Sequence, residues 1–267
     1  MIAYPQIDPV AVNIPIPFTA LHLPVHWYGL MYLLGLGVAY FLAMRRANQP
    51  NSGWDADQIS DLIFYSAMGL ILGGRIGYMV FYATDVLIAE PLSLFKVWQG
   101  GMSFHGGMIG ACVSSWLFAR KYNKTFFQVT DFAVPFVPFG LGAGRIGNFM
   151  GGELFGRVTD VPWAMIFPHG GSLPRHPSQL YQFFLEGVVL FIILMWYSSK
   201  PRPKMAVTGL FFILYGIFRF AVEFVRQPDP QLNFILLNWI TMGQLLSLPM
   251  IFLGGFLMLR GYQKQKI

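Results

Sequence analysis

"AVTGLFFILYGIFRFAVEFVR", residues 206–226, is an apolar run interrupted only by Arg219, Glu223 and Arg226. A helix needs about 20 mostly apolar residues to cross the hydrocarbon core of a bilayer, and this run is long enough. Its charges are not scattered. Tyr215, Arg219, Glu223 and Arg226 follow one another at intervals of four, four and three, which places all four on one helical face. Arg219 and Arg226 are then about 10 Å apart along the axis. Charge in a bilayer is expensive, so the stripe predicts a face turned toward protein or a wet cavity. Glu223 can pair with either arginine and offset part of the desolvation cost.

Six further runs share this character, at roughly 27–44, 59–82, 104–120, 126–147, 178–198 and 242–260. The chain of 267 residues is 55% hydrophobic and 11% charged, against about a quarter charged in a soluble domain. The fold class expected is an all-α polytopic membrane protein with seven transmembrane helices. It is read as a single membrane domain, 1–267, with a cap inserted at 148–177, a short arm at 84–103 and a third loop at 227–241. Residues 1–26 carry five prolines and no basic start, so they read as a surface segment rather than a signal peptide. No internal repeat is evident.

The net charge of +6 would suit nucleic acid, but its distribution argues for a membrane. Eleven of the 18 basic residues, among them Arg45, Arg46, Arg120, Lys121, Lys124, Lys200, Arg202 and Arg260, fall on one side of a seven-span chain. Basic loops stay cytoplasmic. The N-terminus is therefore expected outside and the C-terminus in the cytoplasm. The opposite loops hold only Lys96, Arg157 and Arg175.

Four basic residues remain, Arg75, Arg145, Arg219 and Arg226, all toward the outward ends of their spans. Each alone could snorkel to the interface; together they predict an anion site. The guanidinium fork matches phosphate, so the pattern suggests a phospholipid entering sideways. His105, in "GGMSFHGGMIG" (100–110), lies at the same expected depth, and imidazole is suited to moving protons near neutral pH. In "GRIGNFMGGELFG" (144–156), Arg145, Asn148 and Glu153 stand among five glycines. Glycines recur at helix-packing intervals, Gly69/Gly73/Gly77, Gly106/Gly110 and Gly140/Gly144. Pro135 and Pro138 should break or kink the fourth span.

Other chemistries find no support. There is no serine elbow, phosphate-binding Walker loop or zinc-protease motif. His169 and His176 are seven apart, which does not suggest a metal site, and nothing points to a cofactor. The single cysteine, Cys112, excludes an internal disulfide and is expected to pack inside the third span.

The landmarks "HWYGLMY" (26–32), "LGGRIGY" (72–78), "GGMSFHGG" (100–107), "GRIGNFMGGELFG" (144–156), "RHPSQLYQ" (175–182), "YGIFRFAVEFVRQPD" (215–229) and "TMGQLLSLPM" (241–250) together resemble the prolipoprotein diacylglyceryl transferases, nearly end to end. The resemblance implies an enzyme of the bacterial cytoplasmic membrane with its site on the periplasmic side. It would move the diacylglyceryl group of phosphatidylglycerol to the lipobox cysteine of a prolipoprotein, forming a thioether and releasing glycerol phosphate. The family's essential residues match His105, Arg145 and Arg219. Its other site residues match Tyr28, Asn148, Glu153, Gly156, Tyr215, Glu223 and Arg226; Arg75 and Gly106 join them here as substrate-binding candidates from the charge pattern and the glycine-rich start of the third span. Asn148 could donate to a headgroup oxygen, and Glu153 could orient an arginine or accept from hydroxyls. The family usually carries asparagine where this chain has Gly151. A small-anion transporter or channel and a non-catalytic lipid-binding protein are the alternatives; the outward bias of the charges counts against the first, and His105 against the second.

Overall fold

The computed structural model describes residues 2–15, 22–228 and 240–265. Most of the loop expected at 227–241 lies outside the described residues. The chain forms two compact units, one made of residues up to Ala39 together with those from Ala133 onward, the other of Tyr40–Phe132.

The described residues are mostly helical, but not purely so. Strands β1 (Val10–Pro15) and β2 (His22–His26) form an antiparallel pair with Ile14 opposite Leu23 and Val10 opposite His26. The all-α expectation missed them, although Val10, Val12 and Ile14 alternate as a strand does.

Helices α1 (Trp27–Ala47) and α2 (Ala56–Tyr82) are followed by a short α3 (Thr84–Ala89), two 3-10 turns within Pro91–Gln99, and α4 (Phe104–Lys121). Next come α5 (Phe126–Ala133) and α6 (Val137–Met150), separated at 134–136 as Pro135 and Pro138 require. The fifth run becomes α7 (Ser178–Gln182), a π-helical stretch (Phe183–Val189) and α8 (Leu190–Tyr197). Helices α9 (Ala206–Glu223) and α10 (Met242–Gln265) complete the chain.

Among the described residues, five helices are long and apolar enough to cross a membrane, and the broken α5–α6 pair makes a sixth. All six lie where the sequence placed a span. Helix α4 occupies the remaining expected position. Its 18 residues include His105, Arg120 and Lys121, which dilute its apolar character.

In the second unit, α2 packs on α4 through its glycines. A Cβ on Gly73 would meet Gly106 O at 2.4 Å, and one on Gly110 would meet Gly69 O at 2.0 Å. Side chains there would force the helices apart, as small-residue packing in lipid predicts. The step at Gly140/Gly144 does not behave this way, since a Cβ on either meets nothing within 4 Å. Close approaches of α6 run instead between Gly142 and Gly187 of the π-helical stretch, with a would-be Cβ 2.8–3.0 Å from the other's Cα, and between Gly35 of α1 and Gly140, where a Cβ on Gly35 would lie 3.0 Å from Gly140 Cα. Gly209 and Gly254 play the same part between α9 and α10. Cys112 is exposed on α4 rather than packed inside.

The first unit's apolar core lies between α8 and α9, where Leu190, Leu194, Val207 and Tyr215 are buried against Leu210, Phe211 and Phe218. Between helices in lipid such a core holds by close van der Waals packing rather than by removal of apolar surface from water, and it holds the polar end of α9.

Candidate active site

The stripe read from residues 215–226 exists. Helix α9 carries Tyr215 and Glu223 as buried residues, 7% and 1% exposed. Arg219 NH2 lies 3.0 Å from Glu223 Oε2, one helical turn on, and Arg226 NH1 lies 3.2 Å from Glu223 Oε1. Glu223 thus stands between two guanidiniums. Gly243 of α10 presses on the same carboxylate, because a Cβ there would come within 2.7–2.9 Å of it.

Helix α6 brings Arg145 to this cluster. Arg145 NH2 is 3.7 Å from Glu186 Oε2 and also reaches toward the Tyr215 hydroxyl. Glu186 has no exposed surface, and it feels Arg145, Arg219 and Arg226 together. Three guanidiniums, from α6, from α9 and from the turn after α9, therefore gather about two buried carboxylates. Such a field, fixed before any ligand arrives, suits a phosphate.

Glu186 was not among the residues singled out from the sequence. It lies on the π-helical stretch, a local irregularity frequent at functional sites. Gln179, Gln182 and Glu186 recur at intervals of three and four on an otherwise apolar helix and are all 0–1% exposed. That polar stripe was the available signal. Gln244, at the start of α10, is equally buried.

At the end of α6, Asn148 is buried and donates from Nδ2 to Glu153 Oε1 at 2.9 Å. Gln179 Nε2 donates to the Glu153 carbonyl at 2.6 Å, so the segment after α6 is tied to α7. The cap is then stitched to the end of α9. Gly156 pairs in a β-bridge with Arg226, and Arg157 donates to the carbonyls of Arg226 and Glu223 at 3.0 and 3.2 Å. Only glycine fits at 156, because a Cβ would lie 2.5 Å from Val225 O and 2.6 Å from His176 Cβ. Tyr28, near the start of α1, shares a hydroxyl–hydroxyl bond of 3.1 Å with Tyr32 and lies in the fields of Glu153 and Arg145.

The family model described as prolipoprotein diacylglyceryl transferase matches residues 15–260. The chain belongs to this family. Its relatives include proteins named phosphatidylglycerol–prolipoprotein diacylglyceryl transferase. One from Coxiella burnetii (strain RSA 331 / Henzerling II) is 58% identical over 266 residues, all of both chains. Another, from Pseudomonas paraeruginosa, is 56% identical over 264 residues, 99% of this chain and 97% of the relative.

The transferase-family residues of the second unit have a different setting. His105 sits exposed in the first turn of α4, whose N-cap Ser103 accepts from the Gly106 amide at 3.2 Å. Gly106, a substrate-binding candidate from the sequence, is a helix contact here, with a would-be Cβ 2.3 Å from Gly73 O. Arg75, expected to bind substrate, is engaged by the protein itself. It is 4% exposed and donates to the carbonyls of Ser93 at 2.6 Å, Leu94 at 3.2 Å, Gly101 at 3.3 Å and Gly100. Its fork clamps the arm instead of presenting free donors to a lipid. Among the described residues, no three His, Cys, Asp or Glu side chains gather as metal ligands would.

Proposed function

We propose that this chain transfers the diacylglyceryl group of phosphatidylglycerol to the lipobox cysteine thiol of prolipoproteins. The observation that carries the reading is the gathering of Arg145, Arg219 and Arg226 about the buried Glu186 and Glu223, in a chain of this family.

The nucleophile belongs to the peptide substrate. A free thiol has a pKa of about 8.5, so a base is needed near neutral pH. His105 takes the thiol proton. The thiolate attacks the glycerol carbon bonded to the phosphate oxygen; a C–S bond forms and that C–O bond breaks, with its electrons leaving on glycerol phosphate. Arg145 and Arg219 stabilise the charge that builds on the departing phosphate. Arg226, Glu223 and Tyr215 hold Arg219 and the field around it. Asn148 and Glu153 contact the headgroup beside Tyr28, and Gly156 lets the cap approach α9. Arg75 and Gly106 serve indirectly, one by holding the arm and the other by letting α4 sit close to α2.

The whole chain, 1–267, acts as one transferase domain with seven spans in the bacterial inner membrane. The clustering of 11 of 18 basic residues on one side supports a periplasmic N-terminus, cap and site, with a cytoplasmic C-terminus. The outward bias of these arginines along their spans does not suit a small-anion conduit, which is expected to place its site near the midplane.

Purified protein in detergent, with phosphatidylglycerol and a lipobox peptide, tests this directly. Thioether product is expected from the wild type and is lost in His105→Ala at unchanged thermal stability. Undiminished product in that variant removes His105 as the base.

A further inference from the structure

Glu223 is the last residue of α9, where a carboxylate meets the negative end of its own helix dipole. Arg219 and Arg226 offset that position, at 3.0 and 3.2 Å. A third partner is the start of another helix. Helix α10 begins at Met242, and a reciprocal pair of bonds closes its first turn. The Gln244 amide donates to Thr241 Oγ1 at 3.3 Å, while the Thr241 amide donates to Gln244 Oε1 at 3.1 Å. This is a capping box, and both residues are buried. The Glu223 carboxylate lies against Gly243 in that turn, at the helix end that favours an anion.

Gly243 is glycine for space rather than for backbone freedom. It lies within α10 and is not among the glycines at positive φ. A Cβ there would lie 2.7 Å from Glu223 Cδ, 2.8 Å from Oε2 and 2.9 Å from Oε1. Elsewhere along the pair the backbones themselves are close. A Cβ on Gly209 would lie 2.7 Å from Gly254 O, and one on Gly216 would lie 3.1 Å from Ser247 O. Those contacts fix α9 and α10 against each other. At 243 the atoms in the way are the far end of a flexible side chain, so a methyl group displaces the carboxylate and leaves the helices where they are.

We propose that Gly243 is a positioning residue for the transfer: its missing side chain seats the Glu223 carboxylate on the first turn of α10, and the seated carboxylate sets the guanidinium of Arg219. The inference rests on the reaction proposed above, in which Arg219 stabilises the charge building on the departing phosphate. Gly243 acts only through Glu223. Stabilisation of this kind depends on donors held in place before the charge appears, and a displacement of about 1 Å can cost on the order of a hundredfold in rate. A carboxylate pushed off its seat takes the ion-paired guanidinium with it.

Full-length Gly243→Ala in detergent is assayed with phosphatidylglycerol and a lipobox peptide, beside the wild type, Glu223→Asp and the double variant Gly243→Ala/Glu223→Asp. Aspartate keeps the charge but ends one methylene short of the space that a Cβ at 243 would occupy. Gly243→Ala is expected to lower kcat by about tenfold to a hundredfold. The KM for phosphatidylglycerol should change less than about twofold, because Arg219 acts in the transition state. The thermal midpoint should equal or exceed that of the wild type, since alanine favours a helix. Glu223→Asp lowers kcat by itself, and adding Gly243→Ala to it should cost less than about threefold more. Such non-additivity separates a route through the carboxylate from a packing defect, which lowers the midpoint and costs the same in either background. Undiminished kcat in Gly243→Ala, a loss confined to KM, or an equal loss in both backgrounds would overturn the positioning role while leaving the transfer reaction standing. No thioether from the wild type would overturn the transfer reading and the positioning role with it.

Discussion

The guanidinium of Arg145 lies 3.7 Å from the carboxylate of Glu186, a side chain with no exposed surface on the π-helical stretch that follows α7. Glycine-to-glycine packing makes the approach possible, since Gly142 of α6 and Gly187 of the π-helical stretch are in near contact. One carboxylate thereby shares the field of arginines that the chain separates by more than seventy residues, Arg145 and Arg219.

Removing Arg145 takes the nearest guanidinium from a carboxylate with no exposed surface, which is costly. Arg145→Leu is expected to lose activity and, in addition, on the order of 3 kcal/mol of stability. The double variant Arg145→Leu/Glu186→Leu should regain most of that stability and remain inactive. Thermal unfolding in detergent and the thioether assay read the two effects separately. Equal stability of the single and double variants would mean that the pair is not coupled.

The cap should depend on Gly156 and not on Gly151. A Cβ at 156 overlaps Val225 O, His176 Cβ and His176 O, all within 2.7 Å. Gly156→Ala is expected to cost about 1–3 kcal/mol and to speed tryptic cleavage after Arg157. Gly151→Ala, at φ −77° with its nearest contact at 3.5 Å, should be neutral or stabilising by up to about 1 kcal/mol, since alanine restricts the unfolded chain.

A similar contrast separates two small-residue steps. Gly110→Val puts a branched side chain where even a Cβ lies 2.0 Å from Gly69 O, so the α2–α4 pair must open and the thermal midpoint should fall. At Gly144, where a Cβ meets nothing within 4 Å, alanine should leave the midpoint unchanged or slightly raised.

The cap also carries a pH dependence. His176 Nδ1 lies 3.2 Å from the Tyr181 hydroxyl, which accepts from Trp163 Nε1 at 2.6 Å. Burial holds the His176 imidazole below its ordinary 6.5. The loosened cap therefore takes up a proton more readily than the docked one. The contribution is complete above about pH 6.5 and is lost as pH falls through the lower folded value. Hydrogen exchange of the Gly156, Met165 and Arg175 amides, corrected for intrinsic rate, should quicken between pH 7.5 and 5.5. In His176→Gln that pH response should vanish.

The sequence by itself determined what one helix's periodicity determines. Apolar runs located the helices, the 3.6-residue repeat put Tyr215, Arg219, Glu223 and Arg226 on one face, and paired prolines marked the break between α5 and α6. These relations are local, since a residue's neighbours one turn away are set by the rise and twist of the backbone. Which arginines meet which carboxylates is not local. Glu186 joined Arg145 only once Gly142 and Gly187 touched. Arg75 looked like its fellow arginines until the arm's carbonyls folded over it. The hairpin of β1 and β2 escaped notice because its strands are short and interrupted by prolines. Tertiary packing decided those pairings, because a guanidinium's partners depend on which donors and acceptors the fold brings within about 3 Å, and sequence spacing is silent on contacts between separate elements.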